Sequence, residues 1–334
     1  MSAPELTVAI PAYDAAGSVG AAIESVRAQE GVNVVIDVAV DPAGPDDRTG
    51  EIAYEYAAGD PRVRVTVNPT RLGWVENLGA CIARAETPFF AFCFGDDRLL
   101  PGHGRTLTAA LRSAPGAVAA FGAMRLDRGG RETLVPVASV RADPAARVRA
   151  KLAGTDDAYG LKALYRTEVA QALVPMRDIG GVGFHADWPF MLGAALVGEF
   201  VAVPEPVYAK TRWGGSVTAR WLRIADRLPD LVAEAARAQL DVIAAAPLDA
   251  ADRRALSEMV IARMSWPLLR AAAEGHLPRA DDALYRAVAT LVTGAPATGA
   301  PDAALAALRR HGVQKFTGLP GALRRLRRRI RPRG

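Results

Sequence analysis

Four times within the first 115 residues the chain passes from a short apolar run into a stretch with helical spacing. "LTVAI" (6–10) precedes "SVGAAIESVRAQ", and "VVIDVAV" (34–40) precedes "TGEIAYEYAA". "RVRVTV" (62–67) precedes "WVENLGACIARA", and "PFFAFCF" (88–94) precedes "GRTLTAALRSA". Strands joined through helices run parallel, because the crossover returns the chain to the same end of the sheet. Near-continuous Val, Ile and Phe in these runs fits strands buried on both faces. The pattern therefore predicts an α/β fold: a mainly parallel sheet flanked by helices. Ser18 and Thr49 stand where the first two helices open.

A further strand is expected over "AVAAFGAMRL" (117–126). Residues 133–215 mix short strands and helices, with a helix from near His185 and two short extended pieces in "EFVAVPEPVYAK". From about Ser216 the composition turns to Ala, Leu and Arg, which predicts a C-terminal helical appendage. The expected organisation is residues 1–218 as the α/β domain, 219–318 as a helical region and 319–334 as an Arg-rich tail. "LVTGAPATGAPDAA" (291–304) reads as a linker before the last helix and the tail.

Charge excludes one class of partner. The net charge of +5 is uneven: ten of the 41 basic residues and none of the 36 acidic ones lie from Ala303 onward, so residues 1–302 carry −5. A body of that sign is not built to hold nucleic acid. The two cysteines, Cys81 and Cys93, have neither metal-type nor disulfide-framework spacing and point to a reducing compartment. The N-terminus lacks the basic segment of a signal peptide, and no run reaches the ~18 apolar residues of a membrane span. A cytoplasmic protein is expected. The tail, with seven Arg in "GALRRLRRRIRPRG", suits either an interfacial helix on anionic lipid at the inner face of the cell membrane or a solvated terminus.

In an open parallel sheet, ligands bind beyond the carboxyl ends of the strands, near a switch in strand order. Four features fall there: "PAYD" (11–14), Asp41, "NPTRLGWVEN" (68–77) and Asp96-Asp97. Asp-Asp also occurs at 46–47, 156–157 and 281–282, so the dipeptide is informative only through its context. Neither G-x-G-x-x-G after the first strand nor G-x-x-x-x-G-K-[ST] anywhere is present, which removes the dinucleotide and P-loop readings.

In this order the segments resemble the family 2 glycosyltransferases of the GT-A fold. "LTVAIPAYDAAGSVGAAIESVRAQ" is similar to that family's opening strand, turn and first helix, and "VAVDPAGPDDRT" to its Val-Asp-Asp-Gly-Ser-x-Asp stretch. "NPTRLGWVENLGACIARA" matches its Asn…Gly…Asn-x-Gly segment, and "FCFGDDRLLPG" its Asp-x-Asp motif. "HADWPFMLGAALVGEFVAVPEPVYAKTRWGGSVT" resembles its Glu-Asp-Trp helix and Pro-Glu-Pro strand. The likeness covers residues 6–218.

The resemblance implies a transfer, with inversion, of a sugar from a UDP-, GDP- or dTDP-linked donor to an acceptor hydroxyl. It implies donor contacts from the opening turn (Pro11, Ala12, Tyr13 and Asp14), with Tyr13 facing the base and Asp41 meeting base or ribose. Arg71, Gly73 and Asn77 in the third loop, Gly95 in the fourth, and Arg212 beside the diphosphate complete that side. A Mn2+ or Mg2+ ion would offset the diphosphate charge through Asp96, with Asp97 as an auxiliary ligand. An inverting transfer needs one carboxylate to take the acceptor's proton, and the resemblance assigns this to Asp187, with His185 and Trp188 on the acceptor side. The sequence departs from the family where Phe94 replaces the first Asp of the motif, Trp213 a His, Asp14 an Asn and Ala186 a Glu, and where Asp41 is followed by Pro instead of a second Asp. These departures leave open a donor-binding protein without turnover. A sugar-phosphate nucleotidyltransferase is a further alternative, although "PAYDAAGS" is not the Gly-rich, Arg-containing loop such an enzyme carries after its first strand.

Overall fold

The structure is a computed structural model and describes residues 3–153, 160–212, 221 and 227–274. β1 (Leu6–Tyr13), α1 (Val19–Arg27), β2 (Val34–Asp41), α2 (Thr49–Gly59), β3 (Val63–Val67), α3 (Trp74–Ala83) and β4 (Phe89–Phe92) alternate as the sequence predicts. These strands pair in parallel in the order β3-β2-β1-β4, so the direction of winding reverses between β1 and β4. The sheet continues through β8 (Leu164–Arg166), β6 (Ala117–Arg128), β9 (Glu199–Arg212) and β5 (Arg98–Leu99), and β7 (Glu132–Val135) pairs with β6. β8 is antiparallel to both neighbours and β5 is antiparallel to β9, whereas β6 and β9 run parallel. The result is a mixed, mainly parallel sheet.

Burial follows the pattern of the side chains. β2 is buried along its whole length, and α1 turns Val19, Ala22, Ile23 and Val26 inward at helical spacing. Asp37, in the middle of β2, is tolerated there because the Arg84 guanidinium meets it through Nε at 2.7 Å. Ser18 occupies the N-cap of α1 but makes no side-chain cap bond. Thr49 does more: its Oγ1 accepts from the Ala15 amide at 2.9 Å and donates to Asp47, which fixes the turn after β1 to the start of α2.

The two extended pieces expected over "EFVAVPEPVYAK" form one strand, β9, of 14 residues. Its register on β6 shifts where Gly122 faces Val203 and Ala123 faces Pro206. Pro204 and Pro206 lack the N–H a regular ladder needs, and the irregularity accommodates them without ending the strand. Gly122 is required at this point, since a Cβ there would lie 2.7 Å from the Glu205 carbonyl oxygen and 2.5 Å from Val207.

α4 (His103–Ser113) follows β5, and α6 (Thr167–Ala172) follows β8. His103, in the first turn of α4, is fully buried, and neither ring nitrogen has a hydrogen-bond partner among the described residues. Burial pushes its pKa down to about 3. The unfolded chain therefore binds a proton that the folded chain refuses, and stability falls as pH drops from about 6.5 toward 3. We expect urea midpoints to decline through that window, and His103→Leu, which removes two unpaired polar atoms, to flatten the decline between pH 6.5 and 5. Equal pH slopes in the two proteins would contradict this account.

The chain divides into two compact units. One comprises residues 1–142, 158–176 and 193–213 and holds every strand among the described residues. The other comprises residues 143–157, 177–192 and the chain from 214. Within it are α5 (Pro144–Leu152), the first turns of α7 (Asp187–Val197), α8 (Leu228–Ala245) and α9 (Ala250–Glu274). Asp143 caps α5 by accepting from the Ala146 amide at 2.8 Å, and Arg149 reaches Asp252 of α9 at 2.9 Å. The linker expected at 291–304, the last helix and the Arg-rich tail lie outside the described residues. Among the described residues, no helix is long and apolar enough to cross a membrane.

Candidate active site

The strand-end features meet at the carboxyl ends of β1 to β4. Tyr13 closes β1 and is 37% exposed, and the Arg71 guanidinium lies over its ring, 4.0 Å from Cζ to the centroid. The two form a flat, cationic platform at the mouth of the sheet. Asp14 holds a positive φ of 50° directly after it. Gly95 is buried on the same turn: a Cβ there would meet Ala12, Ala15 and the Pro11 carbonyl oxygen at 3.4–3.5 Å. Pro11, Ala12, Tyr13, Arg71 and Gly95 are thus brought together.

Asp41 is placed differently from the base or ribose contact implied by resemblance. It is buried, and both carboxylate oxygens hold the loop before α3. Oδ1 accepts from Asn68 Nδ2 at 2.8 Å and from the Leu72 amide at 3.2 Å, and Oδ2 accepts from the Gly73 amide at 2.9 Å. Gly73 presents that amide from a φ of 85°, which side-chain-bearing residues rarely adopt. Asn77 is buried as well; it donates to the Ala39 carbonyl at 3.1 Å and accepts from Asn68. Asp41, Asn68, Gly73 and Asn77 therefore shape the loop that presents Arg71.

The adjacent aspartates have separate environments. Asp96 is half-buried, whereas Asp97 is buried and committed to the protein interior. Asp97 Oδ2 accepts from Lys162 Nζ at 2.7 Å and from the Tyr208 hydroxyl at 2.9 Å, with Lys210 Nζ at 3.8 Å, and Oδ1 accepts from the Thr211 amide at 3.2 Å. Lys162 Nζ also lies 3.9 Å from the centre of the Phe94 ring. Burial alone would raise the Asp97 carboxyl; the charges of Lys162 and Lys210 outweigh it and hold the carboxyl below its ordinary value. Burial lowers Lys162 to about 8, because Asp97 only partly offsets the lost hydration and Lys210 adds a like charge. Both directions leave the pair ionised at neutral pH.

These contacts bear on the metal that the family pattern implies. Among the described residues, no cluster of three or more His, Cys, Asp or Glu side chains is arranged to hold an ion. Asp97 lacks an uncommitted oxygen for an auxiliary ligand role, and Phe94 offers none. The described residues by themselves do not build a cage for an ion. A cation that arrives with a diphosphate and meets the protein through Asp96 does, since Mg2+ is commonly held by one or two carboxylates plus substrate phosphates.

In the second unit, Asp187 is the first residue of α7 and half-buried. His185 precedes it with a φ of 52°, and its carbonyl accepts from the Trp188 amide at 3.1 Å. The His185 ring packs at 4.7 Å from Phe184 and 5.3 Å from Trp221. Burial, and then the Arg263 charge, push it well below its ordinary value, so it is neutral at physiological pH. Trp188 is buried, with the Arg263 guanidinium 3.4 Å above its ring. Arg212 closes β9 opposite Arg128 of β6. Trp213, Asp156 and Asp157 lie outside the described residues.

Lys162, Tyr208 and Lys210 were not among the sequence-predicted site residues, and Asn68 was marked only as the first residue of the 68–77 segment. A signal existed for two of them, since Tyr208 and Lys210 are two apart on a strand and so share a face. Lys162, alone in the short turn before β8, carries no pattern that singles it out.

The model of Glycosyl transferase family 2 matches residues 7–173, and the chain belongs to that family. An uncharacterized protein of Mycobacterium tuberculosis is 36% identical over 105 residues, which span 31% of this chain and 32% of that relative. The match thus reaches only about a third of the relative's length. Among solved structures, residues 1–349 of S. aureus TarS in complex with UDP-GlcNAc superpose with a TM-score of 0.63 at 14% identity, covering 95% of this chain and 92% of that one. The mannosyltransferase PcManGT from Pyrobaculum calidifontis, in complex with GDP-Man and Mn2+, gives a TM-score of 0.53 at 16% identity over 98% and 87% of the two chains. At these identities the likeness establishes the fold, which is that of GT-A glycosyltransferases.

Proposed function

We propose that this glycosyltransferase moves a sugar from a nucleoside-diphosphate donor to an acceptor hydroxyl, with inversion at the anomeric carbon. The observation that carries the reading is the convergence of three strand ends near the switch point of the sheet: Arg71 stacks on Tyr13, and Gly95, on the loop that bears Asp96, packs against the turn after β1. Binding of UDP-GlcNAc and GDP-Man by proteins of the same fold supports a nucleotide-sugar donor. Tyr13 and Arg71 offer a stacking face for the base, and the exposed guanidinium is free to turn toward phosphate. A Mn2+ or Mg2+ ion held by Asp96 would act as a Lewis acid on the diphosphate. Asp187 accepts the proton of the attacking hydroxyl, and a single displacement needs no covalent enzyme intermediate. The reading includes a cytoplasmic reaction, for which the Arg-rich tail suits either contact with anionic lipid at the inner face of the membrane or a solvated terminus.

A panel of UDP-, GDP- and dTDP-sugars tests the reading. One base class is expected to raise the melting temperature and to be turned over. Asp96→Ala should remove the gain in nucleotide affinity that Mn2+ or Mg2+ brings. A panel without any thermal shift would dispose of the donor assignment, and a shift without turnover toward any acceptor would reduce the protein to a donor-binding one.

A further inference from the structure

Two ammonium groups converge on one carboxylate beside the aspartate assigned to the donor. Lys162 Nζ is 2.7 Å and Lys210 Nζ 3.8 Å from Asp97 Oδ2. Lys162 also sits against the face of Phe94, the residue standing where the family motif places its first carboxylate. With an aspartate at position 94 as well, three carboxylates would face the two ammonium groups, and the net negative charge would repel a diphosphate until a metal joined it. Here Asp97 and Asp96 together balance Lys162 and Lys210, so the loop is close to neutral before any ion arrives. A divalent cation at Asp96 then adds to two resident ammonium groups instead of supplying the sole counter-charge, and an arriving diphosphate meets no uncompensated repulsion.

We propose that Lys162 and Lys210 are a resident cationic pair for the donor diphosphate, which makes much of nucleotide binding independent of divalent metal. Lys162, with a side chain only 8% exposed, acts as a fixed charge beneath the loop. It is held by Asp97, by the Phe94 ring and by the Tyr208 hydroxyl at 3.3 Å. Lys210 has a side chain 25% exposed and is the arm able to meet a phosphate oxygen directly. Both belong to the unit that carries the sheet, as does Asp96. The inference rests on the donor reading above and deepens it.

Isothermal titration of the full chain with UDP and with GDP, in EDTA and in Mn2+, decides the matter. The nucleotide that binds in Mn2+ should bind in EDTA with an affinity within about tenfold of that value. Lys210→Met should lower the EDTA affinity by about tenfold or more, and Lys162→Met should do the same wherever it folds. The Mn2+-supported affinity should fall less in both variants. Binding that vanishes in EDTA and returns with Mn2+ overturns the inference while leaving the donor reading intact. Unchanged EDTA affinity in folded Lys210→Met overturns it as well. Absence of binding under both conditions removes the donor reading, and this inference with it.

Discussion

Asp97→Ala is expected to destabilise the fold by about 3–5 kcal/mol, the usual cost of stripping one partner from a buried ion pair. The carboxylate is 1% exposed and accepts from Lys162, Tyr208 and the Thr211 amide. Its removal leaves the Lys162 ammonium buried without its counter-charge and frees the end of β9 from the loop after β4. Asp97→Leu combined with Lys162→Met should recover most of the loss, because both charges then leave together. Asp96→Ala, at a half-buried position, should cost far less stability than Asp97→Ala. Urea denaturation of the four proteins reads all of this. A folded Asp97→Ala within about 1 kcal/mol of the parent would mean that the pair contributes nothing.

The same carboxylate has its own pH signature. Its folded pKa is depressed, so its contribution is complete above the ordinary carboxyl range near 3.9 and is lost as pH falls through the folded value. The His103 effect begins two to three pH units higher. The two acid limbs are therefore separable in one titration of stability.

The contrast between Asp96 and Asp97 shows where reading the chain succeeds and where it stops. The alternation of β1 to β4 with α1 to α3 was legible because short apolar runs give way to segments with helical spacing, as Val19, Ala22, Ile23 and Val26 show on α1. β5, of two residues, and β8, of three, are too short to carry any period, and both depend on partners remote in sequence. The convergence of the strand-end features was legible for a related reason, since a parallel sheet gathers its strand ends at one edge. The duties of individual carboxylates were not. Asp97 is turned inward by Lys162, 65 residues later, and Asp41 by the amides of Leu72 and Gly73. No local spacing reveals such a partner. Tyr13 and Arg71 were each singled out from their loops, yet only the fold stacks one on the other.

Asp187→Asn is expected to lower turnover at least ~100-fold, the ordinary scale of general-base catalysis, while donor affinity stays close to that of the parent protein. The substitution keeps the size and shape of the side chain and removes its basicity. Position matters to the argument, because Asp187 is the first residue of α7 and the amides at a helix start favour a negative charge. A carboxylate there has an alternative duty as helix stabiliser, worth roughly 0.3–1 kcal/mol. The two duties predict different results. A helix-stabilising role predicts a slightly lower melting temperature with turnover nearly intact. The base role predicts a kcat loss far out of proportion to the change in stability, with KM for the donor unchanged. Asp187→Ser gives a second reading, since a serine hydroxyl at this position cannot act as the base. Should both variants remain near parent activity while folded, the proton acceptor lies elsewhere in the chain, and Asp156 and Asp157 are the next residues to replace.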